Sequence, residues 1–300
     1  MSTGSPVVRV SGLHKRYGRI HALRGLDFEI PSGRLTGFLG PNGAGKTTTF
    51  RAILGLTRPN KGDIEVLGQA VPVGLPEIVK RVGVIVEEPG LVKALSGRVN
   101  LEVAADTLGF GHDRIDEMLE FVGLTADAHR KLGDYSKGMK QRLALAAAML
   151  GDPELLILDE PLDGLDPAGQ KAFRARLRAL VDEGKSVVVS THDLADIEAL
   201  ADYVIVISQG RLVSEGPLED LLGGGGGIRV VDADTASAIR ALATAGMDAS
   251  PDDTGILVAA GDGSDVVKVL AGAGIYPSEV KPARETLESV FLGITTEGDL

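Results

Sequence analysis

The sequence predicts an α/β fold followed by a small α+β module. Three observations carry that prediction. Leu35–Leu39 reads as a short buried strand and leads into the run Gly40, Pro41, Asn42, Gly43, Ala44, Gly45, Lys46, Thr47, Thr48, after which residues 47–56 hold few helix breakers. Residues 155–158 and 187–189 are wholly apolar, as strands buried on both faces are. Five consecutive glycines at 223–227 form a flexible linker, after which the alternation of strand and helix starts again.

The run at 40–48 fits G-x-x-x-x-G-K-[ST] in the strand–loop–helix setting that this pattern requires. Glycines without Cβ atoms let the backbone wrap a phosphate with its N–H groups turned inward. The helix that follows adds the positive end of its dipole. Lys46 brings a full charge to the outer phosphates, and the Thr47 hydroxyl is a ligand for Mg²⁺.

Bulk properties narrow the classes. Three hundred residues suggest about two domains, and 44% hydrophobic residues suffice for a core. A net charge of −11 argues against tracking nucleic acid or an anionic membrane by charge. The absence of cysteine excludes disulfides, thiol chemistry and Cys-ligated metal. No signal peptide is read in the first dozen residues. No apolar run approaches the ~18 residues that cross a bilayer, so a membrane role is expected to come through a partner.

Taken in order, residues 7–10 and 26–30 read as strands, with Lys15-Arg16-Tyr17-Gly18 between them. Tyr17 is either a ring stacked on a nucleotide base or a core tyrosine of a small sheet. Residues 59–63 form a turn before a strand at 64–67. Asn60 to Asp63 matches the guanine-reading N-K-x-D of GTPases, but it lies too close to the glycine loop and precedes a strand, so it is read as turn chemistry. A strand at 82–86 ends in Glu87-Glu88-Pro89-Gly90, where a carboxylate either contacts Mg²⁺ or water or is simply solvated. Residues 97–150 turn helical and more polar, with helical apolar spacing at 100–108 and 114–122. Ser136 reads as an N-cap for the apolar helix at 143–150.

The apolar strand at 155–158 delivers Asp159 and Glu160 at its C-terminal end, where ligands sit in open α/β sheets. Neighbours on an extended chain point opposite ways, so the two acids are assigned different tasks, one toward Mg²⁺ and one toward the water that attacks the γ-phosphate. Gly164 to Pro167 turns into a helix at 168–181, and the strand at 187–191 ends in His192, placed for a polar contact to phosphate. A helix at 194–200 and strands at 204–207 and 211–214 complete this part. Beyond the linker, strands are expected at 228–231 and 256–259, an extended stretch at 275–280, and helices at 235–245, 264–271 and 286–292, an α+β module of split βαβ kind.

Together these residues resemble the ATP-binding subunit of ABC transporters over roughly residues 7–222. The glycine loop matches Walker A and residues 155–160 resemble Walker B. The resemblance implies a P-loop NTPase with an antiparallel β subdomain and a helical subdomain inserted at about 88–150, an ATP-binding domain at 1–222, and an accessory module at 228–300. It implies ATP and Mg²⁺, with Glu160 as catalytic base, Asp159 as the ligand of Mg²⁺ water, His192 as the switch histidine and Tyr17 stacked on adenine. Ser136 and Gly138 fall on the signature motif and Asp166 on the D-loop.

Two positions depart from the pattern. The signature reads Tyr-Ser-Lys-Gly-Met in place of Leu-Ser-Gly-Gly-Gln, and Glu87 stands where the Q-loop glutamine is usual, as in the E-loop of bacitracin and lantibiotic exporters. An ionised carboxylate cannot donate a hydrogen bond, so metal and water contacts there are expected to differ. The C-terminal extension, ending in Leu-Glu-Ser-Val-Phe at 287–291, is similar to that of drug and antibiotic exporter ATPases. The implied partners are a separate membrane-spanning permease and a second, homodimeric ATP-binding subunit, with no nucleic acid. The implied place is the cytoplasm, peripheral on the inner face of the membrane. Rival readings are a soluble non-transport ATPase of the same family and an exporter ATPase for lipid, polysaccharide or ions.

Overall fold

The structure, a computed structural model, describes residues 5–86, 90–222, 227–231, 234–252, 255–259, 262–282 and 287. The chain divides into two compact units, Met1–Leu218 and Glu219–Leu300.

The first unit opens with a long antiparallel hairpin, β1 (Val8–Tyr17) and β2 (Ile20–Ile30), paired from Val8 opposite Ile30 to Tyr17 opposite Ile20. Sequence alternation located only its base, at 7–10 and 26–30. Register slips between Val10 and Leu13 and between Lys15 and Arg16 break the period-two pattern over the distal half, which therefore does not read as strand. After β3 (Leu35–Leu39) and α1 (Lys46–Ile53) the chain returns to this sheet with β4 (Lys61–Val66) and the two-residue β5 (Gln69–Ala70), giving the order β2-β1-β4-β5. The Asn60–Asp63 stretch leads into β4 on the sheet that carries Tyr17, and its Asn60 Oδ1 accepts from the Arg16 amide, which is turn and sheet chemistry.

A one-turn helix α2 (Leu75–Ile78) precedes β6 (Val82–Ile85). Then come three helices, α3 (Gly97–Leu108), α4 (Ile115–Phe121) and α5 (Lys137–Met149). Ser96 caps α3 and Ser136 caps α5, so both helices begin earlier than their apolar spacing suggests. The carbonyls at the end of α4 are taken up by arginines from two sides, Arg142 of α5 on Val122 and Gly123, and Arg176 on Phe121. Arg176 is pushed below the usual arginine range by burial and by the neighbouring Arg142.

The chain re-enters the main sheet with β7 (Leu155–Asp159), α6 (Pro167–Asp182), β8 (Ser186–Thr191), α7 (Leu194–Glu198), β9 (Tyr203–Ser208) and β10 (Arg211–Pro217), and a one-turn α8 (Leu218–Leu221) follows. The six-stranded order is β10-β9-β3-β8-β7-β6, parallel except for β10. Its central strands β3, β7 and β8 are buried along almost their whole length and distribute their side chains by alternation. Leu156, Leu158, Val187 and Val189 join the core shared with the helices, whereas Leu155, Ile157, Val188 and Phe38 join the core shared with the antiparallel sheet. Phe28, Phe38 and Phe50 link β2, β3 and α1, with ring centroids 5.5 and 5.2 Å apart.

The second unit runs β11 (Ile228–Val231), α9 (Thr235–Thr244), β12 (Asp248–Asp252), β13 (Gly255–Ala259), α10 (Gly263–Gly272) and β14 (Glu279–Pro282). Its strands form an antiparallel sheet in the order β12-β13-β11-β14, the β-α-β-β-α-β arrangement. Val230, Ala238, Leu242, Val258, Val266 and Leu270 fill its core. The sequence reading missed β12, whose Asp-Ala-Ser-Pro-Asp is a poor strand former and survives because it is an edge strand. The glycines at 223–226 and the helix expected at 286–292, apart from Leu287, lie outside the described residues.

Phe38 is fully buried at the centre of the aromatic chain. Phe38→Ala is expected to destabilise the first unit by about 3–5 kcal/mol in urea titration followed by circular dichroism.

Candidate functional site

The glycine loop joins β3 to α1. At Gly45 the backbone adopts φ 110°, and an added Cβ would lie 2.8 Å from Leu23 Cδ2 and 2.9 Å from the Ala22 carbonyl, so only glycine fits. Thr49 N–H and hydroxyl both donate to the Gly45 carbonyl, at 2.8 and 2.9 Å, locking the first turn of α1. Gly210, in the β9–β10 turn, donates to the Ala44 carbonyl at 2.9 Å and holds the loop from behind. Pro41, Asn42 and Gly43 stay exposed at the rim, and Thr48 is half-buried on α1.

Lys46 is 6% exposed. Its Nζ donates to the Gly40 carbonyl at 2.7 Å and lies 3.8 Å from Glu160 Oε1. Burial pushes this ammonium below the usual lysine range, and Glu160 and Asp159 partly oppose that push. An ammonium held by the carbonyls of Gly40 and, more loosely, Pro41, and facing two acids, is ready to exchange a carbonyl for a phosphate oxygen.

Thr47, the next residue, donates its hydroxyl to Asp159 Oδ2 at 2.7 Å. Asp159 Oδ1 accepts from the Ser190 hydroxyl, and Ser190 Oγ in turn accepts from the Glu160 amide at 3.0 Å. Glu160 has φ 47°, a left-handed conformation that costs a glutamate about 1 kcal/mol and is found mostly where surroundings impose it. The turn corrects the reasoning from strand alternation. β7 ends at Asp159, so the two acids do not diverge as strand neighbours would. Both line one cavity with Thr47, and they differ in partner instead. Glu160 Oε2 meets His192 Nδ1 at 3.0 Å, and Oε1 faces Lys46. The imidazole at the end of β8 therefore sits on the acid.

The cavity holds about 530 Å³ and is lined on one side by Thr47, Asp159, Glu160 and Asp163, and on the other by Lys93, Lys137, Lys140 and Gln141 of the helical segment. Lys137 Nζ reaches Asp163 Oδ2 at 3.1 Å. Ser136 and Gly138 flank this lysine but do not line the cavity. The Ser136 hydroxyl accepts from Met139 N–H at 3.2 Å as a helix cap, and among the described residues neither contacts the glycine loop of its own chain. Asp166 caps α6 through Gly169 N–H at 2.9 Å. Tyr17, 44% exposed on β1, contacts Thr57 Oγ1 at 3.3 Å and carries the Lys15 ammonium 4.8 Å from its ring centroid. Glu87 lies outside the described residues.

Sequence reasoning thus collected the residues of the loop and the acids but passed over Ser190 and the Lys137–Asp163 pair. Ser190 was visible as the first of two hydroxyl residues following the apolar run 187–189, and Lys137 as the departure in the signature stretch.

Residues 23–163 match the family model described as ABC transporter. The bacitracin transport ATP-binding protein BcrA of Bacillus licheniformis is 43% identical over 72% of each chain. The daunorubicin resistance ATP-binding protein DrrA3 of Streptomyces coeruleorubidus is 36% identical over 96% of this chain and 95% of its own. A solved ATP-binding subunit of an ABC transporter superposes with a TM-score of 0.65 at 30% identity, over 72% of this chain and 91% of that one. A dimeric ATP-binding cassette captured after hydrolysis with ADP and Pi gives 0.64 at 25% identity, over 70% and 98%. Among the described residues, no helix is long and apolar enough to cross a membrane. With its glycine loop, its paired acids and these relatives, the chain belongs to the ABC transporter family as an ATP-binding subunit that hydrolyses ATP.

Proposed function

We propose that this subunit powers the export of antibiotic or drug-like molecules through a separate membrane-spanning permease. The observation that carries the mechanism is Glu160 held between Lys46 and His192 at the mouth of the glycine loop. Support for the substrate class comes from the relatives named for bacitracin transport and daunorubicin resistance, the second of which matches nearly the whole chain, C-terminal module included.

In this reading Lys46 and the loop 40–48 hold the β- and γ-phosphates, and Tyr17 offers its ring to adenine. The Thr47 hydroxyl and the Asp159 carboxylate, 2.7 Å apart, are a donor set that fits Mg²⁺, which takes one or two protein oxygens and completes its shell with phosphate and water. When bound, Mg²⁺ neutralises charge that builds between the β- and γ-phosphates. Glu160 accepts a proton from water as the water oxygen attacks the γ-phosphorus. The bond from that phosphorus to the bridging oxygen breaks, and ADP departs with the electron pair. His192 keeps Glu160 aimed, and Ser190 keeps Asp159 aimed.

Among the described residues Ser136 and Gly138 make no hydrogen bond to the glycine loop of their own chain and do not line its cavity, which supports a sandwich in which they close on the nucleotide of a second copy, with Asp166 at the seam. Val99 and Val103, one turn apart on α3, and Val92 are exposed on the helical segment, an apolar face suited to a permease. That attachment would place the subunit on the inner face of the membrane. The glycine run 223–227 separates the cassette from an accessory module. An exporter ATPase for lipid, polysaccharide or ions uses the same machinery, and a transport assay with the cognate permease separates the cases.

Three outcomes test this reading. Glu160→Gln is expected to bind ATP normally, lower turnover by ~10²–10⁴-fold and trap a dimer in size-exclusion chromatography with ATP. Near-normal turnover would remove Glu160 from the mechanism. Glu87→Gln is expected to keep ATPase activity while changing its dependence on Mg²⁺ concentration. ATP affinity should also respond to pH through Lys46. Phosphate binding needs the protonated ammonium, so affinity is full at neutral pH and is lost as pH rises, beginning below the ordinary lysine value of about 10.4. Fluorescent-nucleotide titrations across pH should show this fall in the wild type and not in Lys46→Ala.

A further inference from the structure

We infer that Arg174 and Asp196 are positioning residues for hydrolysis, an ion pair that ties the helix after His192 to the helix after Asp166 and so sets where the imidazole meets Glu160. The inference rests on the proposed role of His192. Asp196 is 5% exposed, one of the few charged side chains buried in the first unit, and its Oδ1 accepts from Arg174 Nη1 at 2.9 Å. Burial pushes its carboxyl up and Asp193 adds to this, while Arg174 and His192 oppose it. The pair joins α6 to α7 and, among the described residues, makes no hydrogen bond or ion pair with Asp159, Glu160 or Asp163 of the cavity, so its effect on chemistry runs through the placement of other groups.

α7 has five residues, too few to be stable alone. Its N-cap is Asp193, adjacent to His192, whose Oδ1 accepts from Ala195 N–H at 3.0 Å. Its apolar anchor is Ile197, packed so closely over Gly37 of β3 that an added Cβ there would lie 2.7 Å from Ile197 Cγ2. Gly37 and Ile197 fix how deep α7 sits. The Arg174–Asp196 pair fixes where it lies relative to α6.

α6, by contrast, is a 16-residue rod whose cap is Asp166. Its arginines at 174, 176 and 178 each hold a different element. Arg174 and Arg178 fall on one face by helical spacing and reach Asp196 and Asp202, whereas Arg176 lies on the opposite face and reaches the end of α4 in the helical segment. A shift of Asp166 or of the helical segment therefore carries α7 with it, and His192 with α7. The contact at stake is the 3.0 Å link between His192 and Glu160.

Steady-state ATPase kinetics on the full chain test this. Asp196→Asn and Arg174→Gln are each expected to lower kcat about 10-fold with KM for ATP changed less than about 2-fold, the split expected when positioning for chemistry is lost and nucleotide binding is kept. Arg174→Lys keeps the charge at shorter reach and is expected to fold as wild type by circular dichroism and to lose about 3-fold in kcat. The deciding measurement is a double-mutant cycle. In a His192→Ala background, Asp196→Asn should lower kcat no further, because the positioned group is already gone. Independent, multiplying losses would overturn the inference, as would a lowered melting temperature with kcat unchanged. If His192→Ala alone turns over normally, the proposed role of His192 fails and this inference falls with it. An impaired His192→Ala with multiplying losses sinks only the inference.

Discussion

Asp159 is the carboxylate on which the site depends. One oxygen takes the hydroxyl of Thr47 on α1 and the other takes the hydroxyl of Ser190 on β8, so a single side chain ties the end of β7 to its neighbouring strand and to the helix of the glycine loop. Acids are rarely placed at the end of a buried strand without partners, because desolvation of the charge must be offset. Here the partners are neutral donors, and the full charges stand beside them in the chain, Lys46 next to Thr47 and Glu160 next to Asp159. The result is a compact polar cluster set at the end of a sheet whose central strands are mainly apolar.

That sheet explains why the polar groups arrive together. Parallel strands β3, β7 and β8 are adjacent, and each ends at the same edge with a chemically active residue, the glycine loop, Asp159 with Glu160, and His192. Each strand end is thus legible in a linear sequence as an apolar run that stops on a polar residue. The acids and His192 stand out in this way and the glycine loop by its motif, and the strands of the parallel sheet were read from their apolar runs. The antiparallel sheet was less legible. Bulges in the hairpin erase the alternation that marks a strand, although pairing continues to Tyr17 and Ile20.

What the sequence could not reveal was geometry that depends on a second chain segment. Glu160 adopts a left-handed turn because its amide is held by Ser190, thirty residues downstream in the chain. Nothing local marks it, and the rule of strand alternation pointed the wrong way. The Lys137–Asp163 pair is of the same kind, joining the start of α5 to the loop after β7. Exposed pairs of this sort contribute little to stability, typically ~0–1 kcal/mol, so although Lys137 stands out in its stretch, nothing in the pattern names Asp163 as its partner. The strand β12 was missed for the converse reason. Its residues are poor strand formers that an edge position tolerates.

The hydroxyl of Ser136 shows how a family motif and a local structural role coexist. Its side chain caps α5 by accepting from Met139 N–H, which is what any serine before a helix does. A helix start capped by serine also presents N–H groups and a dipole that favour an anion, and Lys137 adds a charge where the family usually has glycine. In this chain that charge is directed at Asp163, across the cavity from Lys140. A γ-phosphate arriving from another copy would compete with Asp163 for the same ammonium. The exchange costs little because both ends of the pair are solvent-exposed, so the departure from the usual signature is compatible with a sandwich and adds a cation to it.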